Sequence, residues 1–210
     1  MDEVLEAWKR TPGVVGGVVV GHDGSAGADA ALGWALDDAA RRGCAVHVVR
    51  AWMLVTAIDD VGGPPGTVPS MQECADATLR LLEEDVAAVV EQRRATAGDA
   101  TSPARPGAGA DLAVTCHAVH GPSGPSLVAA SASADLLVVG HRGRGHLVDL
   151  IIGSVAEYAV RHAACSVAVV RRRAGPSSPP APDVEEAAAG ADGPPFAVRE
   201  SRPAGLEVDV

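Results

Sequence analysis

The stretch Leu136–Val170, LLVVGHRGRGHLVDLIIGSVAEYAVRHAACSVAVV, decides how this chain reads. An apolar run ends in Gly140-His141-Arg142-Gly143, and a second glycine-hydroxyl pair, Gly153-Ser154, opens an apolar, helix-like segment. Written as a pattern, this is G-x-x-G-x9-G-S between two strands. Two glycines directly after a strand let the backbone turn tightly and approach a ligand closely, and a helix start leaves N–H groups without intrahelical partners. Together they form a seat for phosphate.

Two common phosphate-binding designs are excluded. Lys9 is the only lysine of the chain, so no lysine follows a glycine loop as a Walker A motif requires. The dinucleotide fingerprint fails as well, because Gly143-Arg144-Gly145 meets Val148 where its third glycine belongs. Phosphate at this seat is held by backbone donors, the Ser154 hydroxyl, and the guanidinium of Arg142 or Arg144.

Composition bounds the rest. The chain of 210 residues carries a formal charge of -10 and is 47% hydrophobic but only 2% aromatic, so aliphatic side chains must build its core. The charge is uneven. Residues 174–210 hold seven Asp and Glu against two Arg, whereas residues 142–173 hold six Arg against Asp149 and Glu157. The net charge argues against nucleic acid as a general partner, and the site is locally basic within an acidic protein. Cys44, Cys74, Cys116 and Cys165 stand singly, as buried thiols of a reducing compartment do. Residues 1–12 lack an apolar signal core, and no apolar run reaches membrane-spanning length. The expected setting is the cytoplasm, away from membranes.

Outward from the motif, apolar runs alternate with helical patterns. Val14–Val20 reads as a strand buried on both faces and ends at Gly21-His22-Asp23-Gly24-Ser25. Ala26–Arg42 reads as a helix stopped by Gly43, and Ala45–Trp52 as a second strand. Residues 53–69 are glycine- and proline-rich and are expected to be irregular. Met71–Ala97 is a long amphipathic helix, residues 98–110 a loop, and Leu112–Val119 a third strand interrupted by Thr115 and His117. Ser126–Ser133, Leu136–Val139, Ser154–His162 and Ser166–Val170 complete the pattern as helix, strand, helix, strand. Strict alternation predicts an α/β fold with a five-stranded parallel sheet and helices on both faces. Residues 1–12 are an N-terminal extension, residues 13–173 the domain, and residues 174–210 an acidic Pro/Ala-rich tail expected to be disordered. In such sheets ligands sit at the carboxyl ends of the strands where strand order reverses, which brings the loops after strands one and four together.

From Gly13 to Arg171 the chain resembles the universal stress proteins, in their ATP-binding subgroup. The likeness rests on V-V-V-G-H-D-G-S at Val18–Ser25, V-V-R-A-W at the end of strand two, D-L-L-V-V-G at Asp135–Gly140, and G-x-x-G-x9-G-S with its following V-A-E. The resemblance implies a Rossmann-like sheet of order 3-2-1-4-5, a homodimer built partly through the last strand, and ATP in the crevice. Asp23 would then meet the ribose and the metal-phosphate region, as a Mg2+ ligand, and the Ala51 backbone the adenine. Gly140, Arg142 and Gly143 would lie along the phosphates from one side and Gly153, Ser154 and Val155 from the other, while Gly21 and His22 would line the ribose end. The chain departs from the family at His141, where a small hydroxyl residue is common, and at the paired Pro122 and Pro125.

Plainer roles stand beside these. Asp23 and Ser154 both sit where helix caps sit. Gly140 and Gly143 also serve as turn glycines, and Arg142 and Arg144 as solvated charges. His47 and His117 lie on strands, where packed or hydrogen-bonded histidines are the rule. Trp34 and Trp52 read as core or crevice-edge packing, with Trp52 a candidate edge of an adenine pocket. No residue is an evident base for activating water, so at most slow ATP hydrolysis is expected. The function expected is a nucleotide-dependent regulator of the stress response. The alternative is a stress-linked interaction protein acting on an unknown protein partner through its dimer surface or acidic tail. A hydrolase acting between the α and β phosphates and a cyclic-nucleotide binder complete the range.

Overall fold

The computed structural model describes residues 13–61, 68–97, 112–143 and 152–172. The expectations for residues 1–12, the loop 98–110, Arg144 and the acidic tail fall outside them. Five strands and five helices are described. They are β1 (Val18–Gly21), α1 (Ala26–Arg42), β2 (Val46–Trp52), α2 (Leu54–Val61), α3 (Met71–Ala97), β3 (Val114–His120), α4 (Ser123–Ala130), β4 (Leu136–Gly140), α5 (Ser154–His162) and β5 (Ser166–Val170).

The strands form one parallel sheet of order β3-β2-β1-β4-β5, as the alternation predicts. Val18 sits opposite Val46 of β2 on one side and Leu136 of β4 on the other. Because side chains alternate across a strand, the all-apolar strands feed two cores at once. Val18, Val20, Val46, Val48, Leu136 and Val138 pack with Leu32, Leu36, Leu82 and Val86 of α1 and α3. Val19, Val49, Leu137 and Val139 pack on the opposite face with Leu127 of α4 and Ala156 and Ala159 of α5. The chain runs outward from β1 through β2 to β3, then crosses back over β1 to β4. That reversal opens a crevice at the carboxyl ends of β1 and β4.

Three segments and one tryptophan depart from the sequence reading by more than a residue or two, each for a local reason. The first strand begins at Val18 and not at Val14, because Gly16 and Gly17 adopt φ of 70° and 71°, which no extended strand accommodates. Val15 keeps only an isolated bridge to Ser133. Residues 54–61 are helical, against the expectation of irregular chain. Leu54, Ala57 and Val61 recur at helical spacing, and the Thr56 hydroxyl donates to the Met53 carbonyl at 2.9 Å. Glycine and proline further along the segment masked that signal. Helix α4 starts at Ser123, three residues earlier than expected, with Pro122 as its N-cap and Pro125 inside the first turn. Proline costs nothing there, since first-turn N–H groups have no intrahelical acceptor. Trp34 is 38% exposed and so is not a core residue, whereas Trp52 is 4% exposed and packs with Ala57 and Cys74 beneath α2. Trp52 lies 4.8 Å from His120, ring centre to ring centre, and away from the crevice.

Candidate functional site

The loop after β1 is shaped by its own polar side chains. Ser25 is the N-cap of α1, its hydroxyl accepting the Ala28 N–H at 3.2 Å, so Asp23 is not the cap. One Asp23 oxygen accepts the Ser25 N–H at 3.0 Å and closes an Asx turn. The other lies across Gly143, where an added Cβ would stand 2.3 Å from it.

The loop after β4 is clasped from three directions. The His141 N–H donates to the Val170 carbonyl of β5 at 2.7 Å, and the His141 carbonyl accepts the Gly153 N–H at 2.9 Å. On the third side α1 presses in backbone to backbone. A Cβ on Gly140 would meet the Gly27 carbonyl oxygen at 2.8 Å, and a Cβ on Gly27 would meet the Arg142 carbonyl oxygen at 2.3 Å. Gly27 is thus a partner of the motif that sequence reading missed. Its signal is a glycine in the first turn of a helix, a position where residues with better helix propensity are available.

Gly153 is the N-cap of α5, and Ser154 is the first helical residue, so the serine is not the cap. The Gly153 N–H is already taken by His141. The donors left to a ligand by this helix start are the N–H groups of Ser154, Val155 and Ala156, ahead of the first helical bond from Glu157 to Gly153.

All ten candidate residues, Gly21, His22, Asp23, Ala51, Gly140, Arg142, Gly143, Gly153, Ser154 and Val155, border one crevice. Its floor is made by small or aliphatic residues on the α4/α5 face of the sheet: Gly21, Val49, Ala51 and Val139. A Cβ on Gly21 would stand 2.6 Å from Leu127, so glycine there is what keeps the floor open. Ser123 and Leu127 of α4 also border it and were missed: Ser123 because the helix was expected to start after it, Leu127 because an apolar helix residue reads as core. The His22 ring is engaged on the α1 side, where its Nε2 lies 3.1 Å from Asp29, and the residue is 3% exposed. Burial, and after it the Arg50 guanidinium, hold the His22 pKa below the ordinary histidine value.

The donor set bears on a metal. Among the described residues no group of three or more His, Cys, Asp or Glu side chains could hold one. Asp23 is a single carboxylate on the crevice wall, a donor set that fits Mg2+, an ion that keeps waters and takes few protein ligands, better than a metal needing an all-protein cage. Other predicted residues have ordinary structural roles. His47 Nδ1 and His117 Nε2 are 3.3 Å apart across β2 and β3, and the four cysteines are free thiols. No helix among the described residues is long and apolar enough to cross a membrane.

Comparison with known proteins gives a consistent result. The sequence model of the universal stress protein family matches residues 16–171. Universal stress protein Rv2005c of Mycobacterium tuberculosis is 36% identical over 159 residues, which are 73% of this chain and 47% of that protein. Universal stress protein Rv1996 of the same organism is 31% identical over 170 residues, 78% of this chain and 50% of the relative. The chain therefore spans about half the length of these curated relatives. Among solved structures, a universal stress protein in complex with cAMP aligns over 76% of this chain and 98% of its own, with 23% identity and a TM-score of 0.48. With its parallel sheet, its glycine-hydroxyl loops and a family match over most of its length, this chain belongs to the universal stress protein family.

Proposed function

We propose that the crevice binds an adenine nucleotide, ATP with Mg2+, and that the chain is a cytoplasmic, nucleotide-dependent regulator in stress response, working as a homodimer. The observation that carries this reading is the convergence of three elements on one strand-end crevice. An apolar floor suits a base, the α5 N-terminus offers three backbone N–H donors for phosphate, and Asp23 stands opposite them.

The charges support a metal in that reading. A carboxylate facing a polyphosphate is repelled unless a cation lies between them, and Mg2+ held by Asp23 would neutralise both. Arg142 borders the same space and supplies a further positive charge. The metal would polarise the phosphates when bound. The chain's own residues do the rest: Ser154, Val155 and Ala156 orient the phosphates, and the glycine loop lets them come close. The site offers donors and one carboxylate for binding, which fits a switch with slow turnover better than a fast ATPase.

Calorimetric titration of nucleotide-stripped protein with ATP, with and without Mg2+, and with ADP and cyclic AMP, tests the reading. Micromolar ATP binding that Mg2+ strengthens is the expected result. The Asp23→Ala variant should lose the Mg2+ enhancement, and Gly153→Val should weaken binding about tenfold or more, the cost of misplacing charge-assisted phosphate bonds. Unaltered binding in both variants, or no binding of any of these nucleotides, would refute the assignment.

A further inference from the structure

Behind the crevice, between β1, α1, β2 and α3, four polar side chains form a connected group that no feature of the sequence announces. They are His22, Asp29 of α1, Arg50 of β2 and Asp85 of α3. His22 Nε2 lies 3.1 Å from Asp29 Oδ1, and the Gly24 N–H donates to His22 Nδ1 at 3.3 Å. Arg50 is 6% exposed, pairs with Asp85 at 2.5 Å, and donates from Nε to the His22 carbonyl at 3.4 Å. Asp85 approaches His22 Nδ1 to 3.8 Å.

The chemistry of the partners fixes the ring. A carboxylate only accepts and a backbone N–H only donates, so Nε2 carries the proton toward Asp29 and Nδ1 is the bare acceptor for Gly24. Gly24 is the middle of the turn that carries Asp23, with φ of 77°. The Asx bond from Ser25 holds one Asp23 oxygen, and the other lies over Gly143. The shape of residues 22–25 sets the backbone from which that side chain is aimed.

We propose that His22 is a positioning residue for the metal-phosphate end of the crevice. Its ring, set by Asp29, grips the Gly24 N–H and so holds the turn that points the Asp23 carboxylate across Gly143. The proposal rests on the nucleotide-binding reading. An apolar residue at this position fills the space yet takes the ring acceptor from the Gly24 N–H and the ring donor from Asp29. Asparagine restores an acceptor close to the place of Nδ1, without reaching Asp29.

Amide hydrogen exchange of the ligand-free protein and ATP titration with and without Mg2+ are to be run on the parent, His22→Leu and His22→Asn. In His22→Leu, exchange at Gly24 should rise about tenfold, the loss of one hydrogen bond, with the amides of Val48 and Val138 in the core unchanged. The Mg2+-dependent gain in ATP affinity should fall by a similar factor, about tenfold, while Mg2+-free affinity holds and His22→Asn recovers most of the gain. If His22→Leu is too unstable to purify, Asp29→Ala takes its place: it frees the tautomer, and Gly24 exchange should still rise. A His22→Leu protein that keeps both Gly24 protection and the Mg2+ gain overturns the proposal. So does one that loses core protection and Mg2+-free binding together, which marks a general structural role. A parent that binds no nucleotide overturns the nucleotide reading itself, whereas Mg2+-dependent binding that survives His22→Leu overturns the positioning role alone.

Discussion

Gly140 and Gly143 belong to one motif but are glycine for different reasons, and alanine at each should separate them. A Cβ at Gly140 meets the backbone of Gly27 and Ala28, which cannot give without moving α1. Gly140→Ala should therefore cost about 1–3 kcal/mol of stability, the range of overpacked sites, readable as a lowered denaturant midpoint. A Cβ at Gly143 meets instead the carboxylate end of the Asp23 side chain, a side-chain and not a backbone obstacle. Gly143→Ala should lower the midpoint less than Gly140→Ala does and, with Asp23 displaced, remove the Mg2+ enhancement of nucleotide binding in the same titration. The motif was legible in sequence because both uses demand glycine at fixed spacing. Which use belongs to which glycine was not, since that depends on Gly27 and Asp23, more than a hundred residues earlier in the chain.

Helices and strands differ in how much of themselves they show. The strands of this sheet are buried on both faces, so each announces itself as an unbroken valine-rich run, and strand order follows from alternation. That same uniformity hides which face a residue takes. His22 reads as a crevice residue by its place beside Asp23, and the hydrogen bond of its ring to Asp29 of α1 is not visible in that reading. Helix starts were the weaker signal, because caps are chosen among several adjacent polar residues. At α1 the choice fell on Ser25 over Asp23, and at α5 on Gly153 over Ser154. The start of α3 is a capping box. Ser70 donates from its backbone N–H and its hydroxyl to Glu73 Oε2, both at 2.7 Å, and its hydroxyl accepts the Glu73 N–H at 3.2 Å. The Ser70 backbone bond first, then its hydroxyl, hold the Glu73 carboxyl below the ordinary glutamate value. A carboxyl whose folded pKa is depressed stabilises the fold above its unfolded pKa and loses that contribution as pH falls through the folded one. Melting curves taken at descending pH should thus show an acid-side loss, beginning near the ordinary glutamate range and continuing below it, that is smaller in Glu73→Gln. Parallel curves for the two proteins would mean that the box is not formed in solution.

The sheet as a whole has two edges, and they are unequal. At β5 the ladder with β4 uses one side of the strand and leaves the other side open among the described residues. The Val170 carbonyl accepts the His141 N–H, so Val170 and, by the period of two, Ala168 direct their backbone groups inward to β4. Val167 and Val169 direct theirs outward, a row of unpaired donors and acceptors on a short apolar strand, which is what a second copy would pair with. The edge is close to the crevice: His141, which Val170 anchors, also holds Gly153, so a strand added at β5 would press on the start of α5 through one hydrogen-bonded chain. Proline removes a single N–H and is tolerated at an edge when that N–H faces outward. Val169→Pro should consequently convert a β5-paired dimer to monomer in light scattering with its far-ultraviolet dichroism intact. Ala168→Pro, which removes an inward donor, should instead lower the melting temperature, because the β4 ladder loses a bond. If Val169→Pro remains dimeric, the copies meet elsewhere; if the parent is already monomeric at micromolar concentration, the proposed homodimer is wrong.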